Sequence, residues 1–286
     1  MRSDRESEAP MQRKPSNSLL CPNCRKLISA DEAACPHCGL ARPGARWKRG
    51  QWLYAFKDTD TLLRLIIGIN VIFYLLAIAF NPRGAFLTLN PLTFLAPAGR
   101  TLLLLGATGR LPIDGLLLRP IAGWPVVDQL LRWSTLLTAN YLHGSLLHIL
   151  FNMLVLRHIG LLAGREFGAG RMFVIYTLSG ICGFAVSYLA GVAFTIGASA
   201  AVCGLIGAMI YYGKSRGGVY GNLIYRQIGG WAIGLLLIGL LPGINNWGHG
   251  GGFVAGLGLA WLLGYQEQRR ESFQHRALAG VCALAT

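Results

Sequence analysis

Apolar residues in this chain come in long unbroken runs rather than at the three-and-four spacing of a surface helix. Six stretches stand out, at about 62–80, 134–156, 172–190, 199–212, 228–241 and 249–264. Several reach the roughly 20 residues that cross about 30 Å of hydrocarbon. Backbone in lipid must satisfy its own hydrogen bonds, so each run predicts a membrane-spanning helix. The connection between the first two runs is broken by Pro82, Pro91, Pro97, Pro112, Pro120 and Pro125. Its apolar pieces at 92–96 and 101–105 fit an interface better than a span.

The polar and apolar segments divide the chain into parts. Residues 1–18 are polar and predict disorder. Residues 19–41 hold a compact cysteine module, and 42–60 form a basic linker with Arg42, Arg46, Lys48 and Arg49 that ends in an amphipathic piece from Gln51 to Lys57. Residues 61–265 are the membrane domain, and 266–286 read as an inner-side tail. The charged start predicts no cleavable signal peptide.

Composition sharpens this. Of 286 residues, 53% are hydrophobic and 13% charged, with mean hydropathy +0.47. A soluble domain carries about 25% charged residues, which excludes that class here. The net charge of +14 would suggest nucleic acid in a soluble protein. Here the basic residues flank the apolar runs, as the positive-inside rule expects, so the partner they imply is the bilayer and not nucleic acid. The N-terminal segment, the 157–171 and 213–227 loops and the tail are basic, whereas 191–198 and 242–248 hold no Lys or Arg. Both termini are therefore expected inside.

Against this background a few polar side chains are conspicuous, because uncompensated polar groups in hydrocarbon are costly. His143, His148 and Asn152 fall early in the second run, Ser199 opens the fourth, and His249 opens the sixth. All three runs cross in the same direction, so the five residues share the outer half of the membrane. Ala200, Gly204 and Ala208 recur every four residues, as do Gly248, Gly252, Gly256 and Ala260. Such stripes allow close helix approach, which would bring Ser199 to His249; generic helix packing is the plainer reading. Imidazole is the base a serine hydroxyl needs to become a nucleophile. Ser199 also fits a simple N-cap. His148 and Asn152 share a helix face and can donate to an oxyanion. A metal site at these residues lacks an intramembrane carboxylate or a HExxH pattern.

The cysteines make a separate motif. Cys21, Cys24, Cys35 and Cys38 form C-x2-C-x10-C-x2-C, the spacing of a tetrahedral four-cysteine zinc ribbon. Zinc would supply the folding energy so short a segment lacks, with redox chemistry or another metal as alternatives. Its partner is unknown from sequence.

Taken together, His143-x4-His148-x3-Asn152, Gly197-Ala198-Ser199-Ala200 with Leu205-Ile206-Gly207-Ala208, and His249-x2-Gly252-x3-Gly256 resemble the motifs of rhomboid intramembrane proteases. The resemblance covers about residues 60–265. It implies an all-α polytopic membrane protein, a six-transmembrane-helix rhomboid-like bundle preceded here by the four-cysteine zinc ribbon. It further implies Ser199 as nucleophile, His249 as general base, and His148 and Asn152 with the Ser199 backbone N–H as oxyanion hole. The substrates implied are transmembrane segments of other proteins, cut near the outer face without a catalytic cofactor. A bacterial cytoplasmic membrane is the expected setting. Three positions depart from the pattern: Ala200 and Cys203 stand where Gly and an aromatic are usual, and Arg132-Trp133 is a reversed and displaced Trp-Arg pair. A rhomboid-like protein that holds clients without cutting them, and a small transporter, are the rival readings.

Overall fold

The computed structural model describes residues 18–24, 26–45, 58–82, 88–115, 125–241 and 243–286. The amphipathic piece at 51–57, nearly all of the expected disordered segment and most of the basic linker lie outside these residues. The chain divides into two compact units, Met1–Leu53 and Tyr54–Thr286.

In the first unit, strands β1 (Ser18–Leu20) and β2 (Leu27–Ser29) pair antiparallel with Leu19 opposite Ile28. The turn after β1 carries Cys21 and Cys24. Among the described residues, Cys21, Ile28 and Cys35 form its buried core. A core that small does not hold a fold without a staple.

The second unit is a helical bundle. Helices α1 (Thr59–Ala79), α5 (Leu146–Phe167) and α6 (Ala169–Leu189) are each long and apolar enough to cross a membrane, three such helices among the described residues. Asp58 caps α1 by accepting the Asp60 and Thr61 amides at 3.3 and 3.0 Å. Helices α7 (Ser199–Arg216), α8 (Gly218–Ile238) and α9 (Asn246–Leu263) complete the series. At about 1.5 Å per residue they run roughly 27 to 32 Å. Helices α6, α7 and α9 pack on one another at the centre, where Met172, Ile175, Tyr176, Leu205 and Met209 are fully buried.

The connection after α1 contains short helices α2 (Gly99–Leu104) and α3 (Arg110–Ile113), then α4 (Pro125–Thr138), which runs into a 3-10 turn at Ala139–Tyr141. The apolar run at 134–156 is therefore not one helix. It breaks at 142–145, because Ser145 is extended and its hydroxyl accepts the His148 amide at 3.2 Å, starting α5 afresh. His143 consequently sits in a turn ahead of the helix. A backbone bridge between Thr108 and Thr195 ties this connection to the segment before α7.

The stretch 266–286 turns back on the bundle. Helix α10 (Phe273–Ala285) opens with a capping box formed by Ser272 and His275 and packs along α6, with Ala279 and Cys282 buried. Its start is clasped by Arg171, which is fully buried. The Arg171 guanidinium donates to the carbonyls of Phe167, Leu263 and Gly264, the last at 2.7 Å, and its backbone N–H donates to Glu271 at 2.9 Å. At 13 residues α10 is short for a span, which is why hydropathy alone reads it as a tail.

Candidate active site

Helices α7 and α9 touch backbone to backbone. A methyl on Gly252 would overlap the Ala200 carbonyl, one on Gly256 the Gly204 carbonyl, and one on Gly207 the Phe253 carbonyl. The two small-residue stripes therefore face each other. That contact brings the starts of the helices together, and Ser199 Oγ lies 2.8 Å from His249 Nε2.

The N-cap of α7 is Ala198, not Ser199, and no side chain caps this end. The Ser199 hydroxyl is thus free to bond the imidazole, and the first-turn amides of α7 remain available, as the opening N–H groups of any helix are. Gly197 precedes it at φ +122, and the His148 ring packs against its Cα: a Cβ there would lie 2.8 Å from both Cε1 and Nε2. Backbone conformation and space both demand glycine.

His148 Nδ1 accepts the Gly144 amide at 3.2 Å, which assigns the ring hydrogen to Nε2. That N–H lies beside Gly197 and lines the same cavity as Ser199. Asn152, one turn along α5, donates to the His148 carbonyl at 2.9 Å and also lines the cavity. His143 is wholly buried, and its ring meets that of His148 edge-on at 5.0 Å. His249 Nδ1 is buried with no hydrogen-bond partner among the described residues, so the serine and histidine form a pair rather than a triad.

The cavity is about 610 Å³ and joins these groups to apolar walls from Phe151, Val155, Phe194, Val202, Leu235 and Trp247. Of the five polar residues singled out by sequence, His148, Asn152, Ser199 and His249 line it, and His143 does not. Such a chamber admits a polypeptide and a few waters, and its polar groups converge from three helices.

Residues 130–266 match the sequence model of the Rhomboid domain. The chain is similar to RHOMBOID-like protein 4 of Arabidopsis thaliana, 38% identical over 45% of this chain and 33% of that protein. It is similar to Rhomboid protease GluP of Bacillus subtilis (strain 168), 33% identical over 54% of this chain and 30% of that one. It is also similar to Inactive RHOMBOID-like protein 8 of Arabidopsis thaliana, 32% identical over 52% and 43%. The chain thus matches about a third of the length of the first two.

Where the chain departs from the rhomboid motifs it resembles, the structure gives each residue another neighbour. The Ala200 methyl is buried against Gly183 of α6, where an added Cβ would come 3.0 Å from it. Trp133 packs edge-on against Tyr188 at 5.1 Å, and Arg132 donates to the Pro112 carbonyl at 3.4 Å, so the pair serves the loop. Cys203 leaves an apolar cavity of about 420 Å³ on a second side of His249, bounded by Ile206, Leu236 and Phe253. Sequence reading missed that cavity. It also missed Asn245, although an Asn just ahead of a helix is a legible N-cap signal.

In the first unit, the four sulfurs of Cys21, Cys24, Cys35 and Cys38 lie within 4.8 Å of one another, a compact cluster able to coordinate a metal. Burial pushes the Cys21 thiol up to about 12, so a thiolate forms there only when a cation compensates it. No disulfide links the four. The donor set and its spacing fit Zn2+, which is held by thiolates in a tetrahedron.

Proposed function

We propose that this rhomboid domain is an intramembrane serine endopeptidase that cuts transmembrane segments of other membrane proteins. The observation that carries the reading is the 2.8 Å bond between Ser199 Oγ and His249 Nε2 inside a cavity that also holds oxyanion donors. In this reading six helices, α1 and α5 to α9, span a bacterial cytoplasmic membrane with the N-terminus inside. Ser199 lies below the outer face.

The chemistry follows from the placement of the protons. Ser199 Oγ attacks the scissile carbonyl while His249 Nε2 takes its proton. The oxyanion is met by the Ser199 backbone N–H, His148 Nε2–H and the remaining Asn152 Nδ2 hydrogen. Collapse breaks the C–N bond, and His249 returns the proton to the leaving amine. Water then gives a proton to His249 and attacks the acyl-serine; the C–Oγ bond breaks, His249 returns the proton to Ser199 Oγ, and the acid is released. No cofactor enters. Cys21, Cys24, Cys35 and Cys38 hold a structural Zn2+, which stabilises the ribbon and takes no part in catalysis.

The test is labelling by a fluorophosphonate, with cleavage of a model transmembrane substrate in proteoliposomes alongside. Wild type should label and cut. Ser199→Ala and His249→Ala should lose turnover by roughly 10⁴-fold or more, as removal of either member does in serine proteases. His148→Ala and Asn152→Ala should each cost about 10²–10³-fold. Folded wild type that neither labels nor cuts would end the protease reading. The non-cleaving client-holder, favoured by the similarity to an inactive relative, would take its place.

A further inference from the structure

Ser199 and His249 stand on different helices, so their bond lasts only while the two helix starts keep register. The stripes that bring α7 and α9 together set their separation. Small residues interlock weakly, however, and by themselves resist sliding and rotation poorly. A second device spans the same two helix starts.

Thr195 lies four residues before Ser199, and Asn245 lies four residues before His249. These two side chains are bonded to each other, Asn245 Nδ2 donating to Thr195 Oγ1 at 2.9 Å. The other Nδ2 hydrogen goes to Ser187 Oγ, near the end of α6, at 2.7 Å. Asn245 Oδ1 accepts the Gly248 amide at 3.0 Å, and its backbone carbonyl accepts the His249 amide at 3.1 Å. Ser187 and Thr195 are both buried, and the Ser187 hydroxyl donates onward to the Gly183 carbonyl at 3.0 Å. The Thr195 backbone is in turn paired in both directions with Thr108, at 2.8 and 3.1 Å. One amide therefore binds α6, the segment entering α7 and the first turn of α9. Every one of its donors and acceptors has a partner.

We infer that Asn245 is a positioning residue for the proposed protease, locking the His249 helix to the Ser199 segment through Thr195 and Ser187. The inference rests on the protease reading. Asn245 and Thr195 line the cavity beside His249, and Asn245 acts on the reaction through His249. A shift of about 1 Å in a reacting group can cost 10²-fold in rate, whereas the cavity that receives the substrate stays largely as it is.

The experiment uses the full chain in proteoliposomes, with kcat and KM on a transmembrane substrate, fluorophosphonate labelling rate and thermal unfolding measured together. Asn245→Ala should lower kcat and labelling by about 10- to 100-fold on that geometric argument, with KM within about twofold. Thr195→Val is nearly isosteric and keeps the helix cap, so it guards against a variant that fails to fold. It should lower kcat less, Thr195→Ser should restore the wild-type rate, and the Asn245→Ala/Thr195→Val double variant should be no slower than Asn245→Ala. Asn245→Ser keeps a capping oxygen but cannot span to Thr195, and it should stay impaired. A wild-type rate in Asn245→Ser, or in Thr195→Val beside an active wild type, overturns the positioning role alone. An inactive, folded wild type overturns the protease reading and the positioning role with it.

Discussion

The methyl of Ala200 belongs to the residue next to the proposed nucleophile, yet it does not line the cavity. It fills the junction of α6, α7 and α9 against Gly183. From sequence, the extra methyl looks like an obstruction; in the fold it is packing. Ala200→Gly should therefore destabilise the bundle by about 1–2 kcal/mol, from a buried methyl and a glycine in a helix, without raising the labelling rate. Denaturant unfolding and labelling of the same preparations decide it, and a faster, equally stable variant would show the methyl to be a hindrance. The residues with distinctive chemistry were legible in sequence: a lone Ser, two His and an Asn in apolar surroundings are conspicuous. Asn245 offered only the cap signal of an Asn just ahead of a helix, which says nothing of a role at the site. What singles it out is the pair of hydroxyls on its amide, and those come from residues 58 and 50 positions away.

Among the elements, the paired stripes of α7 and α9 carry the most weight. Gly256 and Gly258 stand on the same helix, and only the first meets a neighbouring backbone. Gly256→Ala should cost about 1–3 kcal/mol through overpacking and should slow labelling as the helices part. Gly258→Ala has open space around it and should be neutral or stabilising by up to about 1 kcal/mol. Equal behaviour of the two variants in unfolding and labelling would mean the stripe contact does not hold the site. The spacing of four that marks this contact was readable, because it is a property of one helix at a time. The break between α4 and α5 was not, because Gly144-Ser145 is embedded in apolar sequence and an averaged hydropathy runs straight over it. The Ser145 hydroxyl bond to the His148 amide decides the boundary, and that is a matter of local geometry. Helix α10 escaped for a different reason: its apolar residues are too few to announce a span, and the bundle supplies the surface they cover.

At the scale of the molecule, the chain contains two units held together by different physics. The bundle is held by helix packing, and among the described residues the cysteine unit has Cys21, Ile28 and Cys35 as its core. Stripping metal with a strong chelator should therefore open residues 18–45 to protease while the bundle keeps its unfolding temperature and labelling rate. Limited proteolysis read by mass spectrometry, with labelling in parallel, checks both halves. Retention of a protected ribbon after complete metal loss would remove the metal from its folding. That the four cysteines cluster was legible in their spacing, since ligand spacing is local.

The buried guanidinium of Arg171 has a consequence for synthesis. Its partners at Leu263, Gly264 and Glu271 lie 92, 93 and 100 residues further along the chain. At about 5–20 residues per second, a growing chain waits on the order of 5–20 s between making that arginine and making the groups that neutralise its burial. Over that interval the half-made bundle holds an uncompensated cation at the foot of α6. A chain that stops before residue 263 keeps this cation without those three partners.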